Sequence, residues 1–430
     1  MGLIMKTRLI SILLALPAFL SVNLPEAFSK SPAPLADRTE AVIVKGKDLP
    51  ALMLAGRISN YRLFAEYGAG LVPIPMQIDE RDEAGIILVS EGPAPDQRDG
   101  NFDARDELVF MARDAGLFSS AAPPEGCSKA ANIIITDRKT SASGRVILAL
   151  CENPLPASAK DYVRYDPGTR TVITDRYRLG RKVAEVYTYD FITVNNGPDL
   201  LDRLKVRAKV GKWGMVYTFN EDHFRHTLLG YIDGPVRVAW KSYDYWSLGP
   251  LGRIAVPQYL YYYSEYAVFQ DAMDARMNPT LFGLELSVMI SHDLALEKPE
   301  KYLLCANVLS GCESLGQNIS EEKIKMLTEL PLQWGGVNGP EGALITRLVV
   351  DPRLTARVKG IFVFSRDYAG GPEYFKGAMP ELGFNIVEWK NVKPDIYDLM
   401  FYHYFLNQFS QAEFDRIDRL VTNPLAVSFK

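Results

Sequence analysis

Arg-Asp-Gly-Asn-Phe-Asp-Ala-Arg-Asp-Glu-Leu-Val-Phe-Met-Ala-Arg-Asp-Ala-Gly, residues 98–116, follows an earlier run, Pro-Ile-Pro-Met-Gln-Ile-Asp-Glu-Arg-Asp-Glu, at 73–83. In the later run Asp99, Asn101 and Asp103 alternate, Asp106 and Glu107 follow, and an apolar stretch opens at Leu108. This is a tight acidic turn feeding a buried strand. Oxygen side chains at i, i+2 and i+4 are the parts of a Ca²⁺ loop. A helix-loop-helix calcium site starting at Asp99 is excluded, because its sixth position is Ala104 rather than Gly and its twelfth is Phe110 rather than Glu. Two readings remain. Either a looser Asp-x-Asn-x-Asp turn holds Ca²⁺, with Asp106 or Glu107 completing the shell, or the turn is closed by Asx hydrogen bonds alone.

Outward from this turn the chain reads as strands. Segments 171–179, 184–194, 204–210, 215–219, 236–243, 258–269, 284–291, 343–350, 358–364 and 397–405 are rich in β-branched and aromatic residues, and several alternate with polar positions. Asp-Pro-Gly, Asn-Asn-Gly-Pro, Asp-Gly-Pro and Asn-Gly-Pro punctuate them. That spacing predicts a mainly β fold, a large antiparallel β-sandwich, rather than βαβ units. One short C-terminal helix is expected over 411–421, opened by the capping box Ser410-Gln-Ala-Glu413.

The N-terminus carries Lys6 and Arg8, an apolar stretch from Leu9 to Val22, and Ala27-Phe28-Ser29 as a cleavage signal. This is the pattern of a secretory signal peptide over 1–29. The stretch is shorter than the roughly 20 residues of a spanning helix and contains Pro17. No later segment is long and apolar enough to span, so a periplasmic or secreted protein without a membrane span is expected. A flexible leader (30–40), an N-terminal β region with the acidic turn and a hairpin (41–160), and a sandwich domain with the C-terminal helix (161–430) would follow. The formal charge of −4 argues against nucleic-acid partners.

The four cysteines form two close pairs. Cys127 and Cys151 flank a hairpin, and Cys305 and Cys312 enclose a short loop ended by Gly311. Disulfides Cys127–Cys151 and Cys305–Cys312 are expected in an exported chain.

The stretch Val-Pro-Ile-Pro-Met-Gln-Ile-Asp-Glu (72–80), the turn into Asp-Glu-Leu-Val-Phe (106–110), and Leu-Gly-Tyr-Ile-Asp-Gly-Pro-Val-Arg-Val (229–238) resemble a group of uncharacterised secreted proteins. Some of these sit beside polysaccharide-degrading enzymes and are similar to the β-supersandwich, galactose-mutarotase-like architecture. The resemblance covers about a quarter of the chain, and it implies a supersandwich and a carbohydrate connection.

Candidate chemistry is sparse. Glu221-Asp222-His223-Phe224-Arg225-His226 sets two of the four histidines beside two carboxylates and an arginine, the parts of an acid–base or metal site. The competing reading of Glu221, His223, Arg225 and His226 is a solvated loop. His292 and His403 read as ordinary edge and core histidines. Trp246, Tyr259, Tyr261 and Tyr263 form a candidate sugar-stacking platform, the three tyrosines sharing one strand face. Cross-strand packing is the plainer account of the same residues. No Gly-x-Ser-x-Gly, His-Glu-x-x-His or phosphate loop occurs. The expected function is a non-catalytic exported β-protein that binds a glycan, an envelope component or a protein. A carbohydrate-active lyase or hydrolase is the first alternative, and an accessory subunit of an envelope complex the second.

Overall fold

The structure, a computed structural model, describes residues 33–430 apart from 69, 118–124, 154, 182–188, 221–222, 248–252, 277–279, 281–282 and 364–379. The signal segment and Glu221 therefore lie outside the described residues, as do the side chains of Arg225 and Trp246.

The fold is mainly β and every strand pair is antiparallel. A nine-stranded sheet runs in the order Phe224–Asp233, Val238–Ser247, Arg253–Tyr262, Tyr266–Asp274, Ile396–Leu406, Gly342–Val350, Trp334–Gly339, Leu303–Ala306, Cys312–Ser314. A five-stranded sheet, Met215–Phe219, Leu201–Lys212, Glu285–Leu294, Glu381–Val387, Arg357–Val363, packs against it. Alternation sends Leu204, Leu382, Phe384 and Ile386 of the smaller sheet into one core with Trp240, Tyr262, Phe401 and Phe405 of the larger. The sandwich expected from strand spacing is present.

A second, smaller sandwich forms at the N-terminus. Strands Ala41–Lys45, Glu107–Met111 and Met76–Asp79 make one layer. Strands Ala426–Phe429, Cys127–Thr136, Ser143–Cys151, Tyr61–Glu66 and Leu71–Ile74 make the other. Val42, Val44, Leu108 and Phe110 meet Leu63, Ile133, Ile135, Val146 and Leu148 between them. The last strand of the chain thus completes a sheet of its first part, so the N-terminal unit does not end near residue 160. The expected leader is also corrected over its described part. Leu35 and Arg38 are buried, and Arg38 donates to Asp137 (3.0 Å) and to the carbonyl of Asn423 (2.7 Å).

Both disulfides join the expected pairs, each across directly opposed positions of a hairpin. The C-terminal helix spans Gln411–Thr422, and Ser410 caps it by accepting from the Glu413 N–H at 3.1 Å. The other half of the expected box is redirected, since Glu413 receives the Arg416 guanidinium instead. Phe414 and Ile417 bury against the nine-stranded sheet, each contributing about 1.5–3 kcal/mol. A second helix, Glu321–Glu329, had no clear apolar stripe to announce it. The expected strand 258–269 is two strands with a turn at Tyr263–Glu265, and 171–179 is broken between Ile173 and Tyr177. Among the described residues no helix is long and apolar enough to cross a membrane.

Candidate functional site: a tyrosine–arginine cleft

Three stretches far apart in sequence meet where the two sandwiches join. Strand Met76–Asp79 pairs with Glu107–Met111 so that Asp79 lies opposite Glu107. Alternation puts Gln77 and Asp79 on one face, toward the turn that opens strand Val238–Ser247. Gln77 Oε1 accepts from the backbone N–H groups of Val236 (3.1 Å) and Arg237 (2.9 Å), while its Nε2 donates to Asp79 (2.9 Å). A Cβ on Gly234 would lie 2.3 Å from Gln77 Oε1, so a larger residue there would displace the Gln77 amide.

Arg237 is the hub of this junction. Buried completely, it donates from Nε to Asp79 Oδ2 (2.8 Å), from Nη2 to Glu107 Oε2 (2.9 Å) and from Nη1 to Tyr263 Oη (3.2 Å). Its guanidinium lies 4.7 Å from the centroid of the Tyr261 ring, a cation–π contact. Arg81 reaches the same Glu107 oxygen at 2.6 Å. Burial alone would raise the Glu107 pKa, but Arg237 and Arg81 together hold it below the usual range.

This network forms one wall of a cleft of about 360 Å³. Arg81, Tyr261, Tyr263, Gln270 and Tyr402 supply polar groups, and Ile43, Met400, Leu425 and Val427 supply apolar surface, Met400 lying beside Gln270 on the same sheet. Tyr263 stacks on Tyr266 at 4.5 Å, and Tyr266 Oη accepts from the Ala41 N–H at 3.1 Å. Burial pushes the Tyr402 hydroxyl up to about 12, so at neutral pH it stays protonated and able to donate. Glu265, at the turn between the tyrosine strands, is gripped by Arg113 (2.7 Å) and Arg416 (2.9 Å). That pairing ties the N-terminal unit and the C-terminal helix to the cleft's edge.

Of the expected platform, Tyr259, Tyr261 and Tyr263 do share one side, packing with the same apolar cluster. Tyr261 and Tyr263 line the cleft wall and are largely buried rather than presenting an open surface. Tyr263 stands just beyond the strand end. Gln77, Asp79 and Arg237 all sit inside the stretches 72–80 and 229–238 that carry the family resemblance, and Asp79 turns into the Arg237 network rather than to the acidic turn.

The acidic turn is held by local bonds. Asp99 Oδ1 accepts from the Asn101 N–H (2.7 Å), and Asp106 accepts from the N–H groups of Asp103 (2.7 Å) and Arg81 (2.9 Å). Asp103 pairs with Arg105, and Glu80 accepts from the N–H groups of Asp99 and Gly100, both at 2.9 Å. Glu107 faces away from this turn, into the Arg237 network. Among the described residues no group of three or more His, Cys, Asp or Glu side chains is arranged to hold a metal ion.

The histidines do not form one site among the described residues. His223 bonds Asn220 and Tyr217, whereas burial and then Arg181 lower the His226 pKa to about 2. His292 and His403 lie deep in the large core, neither at an edge. Their Nε2 atoms are 3.0 Å apart, and both contact Tyr189 Oη. Burial lowers His292 to about 3, and burial and then His292 hold His403 well below the usual imidazole value, so both are neutral core groups.

A separate polar cluster lies on the face of the five-stranded sheet that points away from the core. Lys205 Nζ sits 2.7 Å from Asp293 and 3.2 Å from Glu381, and Ser291 donates to Glu381 at 2.7 Å. Burial pushes Asp293 up to about 7 despite Lys205.

No protein-family model matches this chain, and no curated protein matches it. Among solved structures, an alpha-mannosidase from Enterococcus faecalis V583 is similar over 91% of this chain, with a TM-score of 0.48 and 9% identity. A protein in the Glycosyl Hydrolase Family 38 from Enterococcus faecalis is similar over 92%, with a TM-score of 0.49 and 9% identity. This chain spans 44% and 46% of the lengths of those two proteins.

Proposed function

We propose that the chain is an exported binding protein that takes a glycan in the tyrosine–arginine cleft without cleaving it. One observation carries the reading: a cleft of about 360 Å³ lined by tyrosines, Gln270 and Arg81 together with the apolar side chains of Ile43, Met400, Leu425 and Val427. A sugar ring has apolar C–H faces that rest on aromatic and aliphatic surface, and hydroxyls that need directed donors and acceptors. The volume falls within the roughly 300–1,000 Å³ of small-ligand sites. The two disulfides suit an oxidising compartment.

The cleft's titrating groups support binding over catalysis. A glycosidase acid must hold a proton near neutral pH, which requires a raised carboxyl pKa. Glu107 is shifted the other way by its two arginines, and Tyr402, pushed up to about 12, keeps its proton at neutral pH and so is not in its base form. A glycan-array screen, followed by calorimetry on any hit, tests the proposal. Tyr402→Phe and Gln270→Ala should each weaken the ligand about ten-fold, with no new reducing end or unsaturated product. Undiminished affinity in both variants would reject the cleft.

The enzyme alternative belongs to the Glu221–His226 stretch. Product release from a bound glycan, abolished by His223→Ala or His226→Ala, would favour it.

A further inference from the structure

The hairpin joining Leu201–Lys212 to Met215–Phe219 ends in a surface unlike the rest of the molecule. Trp213 is 86% exposed, Met215 70%, Val216 64% and Tyr217 54%. Six other large apolar side chains are exposed among the described residues, and each stands singly, which is ordinary for a folded surface. Four within five residues make a patch.

The turn was shaped to carry it. Trp213 and Gly214 both have positive φ, +52° and +80°, as a two-residue turn with matching twist requires. Asn or Asp usually fills the first of these positions. A tryptophan there bears local strain with its ring in solvent, the pairing of strain and exposure that marks a functional tip.

Side chains alternate along Met215–Phe219, so Met215 and Tyr217 face one way and Val216 the other, all of them exposed. A rigid partner surface covers one face of a ribbon. A lipid interface surrounds both. Lys212 Nζ lies 4.7 Å from the Trp213 ring centroid, Lys209 stands three residues back, and no acidic residue occurs between Leu204 and Phe219. Exposed Glu285, opposite Gly211 and so level with Val216 on the same face, bounds the apolar tip on that side, whereas the Met215 and Tyr217 face carries no such carboxylate among the described residues. With a rise of roughly 3.3 Å per residue, the apolar tip reaches about the 5–10 Å depth of an interfacial element. Tryptophan and tyrosine favour that zone.

We propose that this hairpin tip docks the protein on an anionic bilayer, inserting Trp213, Met215 and Tyr217 among the headgroups, with Val216 at the rim beside Glu285, while Lys212 meets lipid phosphate. The test is co-sedimentation of the purified protein with vesicles of phosphatidylglycerol mixed with phosphatidylcholine, and of phosphatidylcholine alone. The parent should pellet with the anionic vesicles, and added salt should release part of it. Trp213→Ser combined with Met215→Ser should lower the bound fraction at least about ten-fold at an unchanged melting temperature, and Lys212→Gln should weaken only the anionic-vesicle binding. If the double variant melts early, Trp213→Tyr, which keeps an interfacial aromatic, should retain binding where Trp213→Ser loses it. Equal pelleting of parent and variants overturns the proposal, as does a parent that pellets with neither vesicle. A dimer on size-exclusion chromatography that Trp213→Ser dissolves, without vesicle binding, would reassign the patch to a second copy and overturn it too.

Discussion

Two of the buried ionic networks among the described residues resolve the same problem in opposite ways. At the junction of the sandwiches, Asp79 and Glu107 share the Arg237 fork, Arg81 adds a second guanidinium, and Gln77 and Tyr263 use up remaining polar atoms. There Glu107 is held ionised below its usual range although burial opposes it. On the outward face of the five-stranded sheet, the Lys205 ammonium is divided between Asp293 and Glu381, and burial prevails over it and the nearby charge of Arg207, raising Asp293 to about 7. A planar guanidinium donates to two carboxylates along separate N–H directions, whereas an ammonium is a compact charge that two neighbours must share. The lesson is that burial alone does not decide a carboxyl's charge. The number and direction of the donors facing it do.

The largest consequence should appear on removing each hub. Arg237→Ala strands two buried carboxylates and should cost about 3–5 kcal/mol in urea denaturation. Lys205→Met should cost less, about 1–3 kcal/mol, because Asp293 is already close to taking up a proton. Equal losses would break the contrast. Arg237→Lys supplies a foldable check, since a point charge should recover only part of the difference.

The pH dependence should differ in sign. Glu107 has a folded pKa below its ordinary 4.5, so its contribution is present above that value and is lost as pH falls through the folded pKa. Asp293 has a folded pKa of about 7 against an ordinary 3.8, so its contribution is full below 3.8 and is lost as pH rises through about 7. Urea midpoints from about pH 3 to about pH 8 should therefore flatten on the acid side in Glu107→Gln and toward neutral pH in Asp293→Asn. Matching profiles for the two variants would show that the networks behave alike. His292, with a folded pKa of about 3, adds a loss of stability as pH falls below its unfolded value of roughly 6.5.

Smaller effects sharpen the frame around the cleft. Ser410→Ala should cost about 1 kcal/mol by removing the cap of the helix, whose Arg416 grips Glu265; a thermal melt with no shift would contradict the cap seen at 3.1 Å. The smallest effect concerns the acidic turn. Its carboxylates already accept from backbone N–H groups and arginines, so calcium and chelator should give melting temperatures within about 1 °C of each other. A calcium-dependent rise abolished by Asp103→Ala would restore the ion-binding reading.

Much of the architecture could be read from local pattern. Alternation along Leu204–Val210, the Ser410 cap and the two hairpin cysteine pairs are short-range features, and each appears where residue spacing placed it, whereas strand Glu381–Val387 lies outside the expected segments. The departures have a common cause. The turn at Tyr263–Glu265 interrupts an aromatic run that contains neither Gly nor Pro, so nothing local marked it. Helix Glu321–Glu329 buries only Leu327, too little apolar surface to impose a 3.6-residue period. Leu35 and Arg38 look like leader residues until Asp137 and Asn423, about a hundred and several hundred positions away, close over Arg38.

By itself the sequence determined a mainly antiparallel β protein with two local disulfides, a capped C-terminal helix and an acidic turn opening a buried strand, because periodicity and capping act over a few residues. Only the tertiary structure decided that Gln77, Asp79, Glu107 and Arg237 form one network, that Tyr261 and Tyr263 line a cleft rather than an open platform, and that Trp213 and its neighbours stay uncovered. Those outcomes depend on which sheet faces which, and on which groups lose water together. Burial is a property of the packed whole, and no run of adjacent residues encodes it.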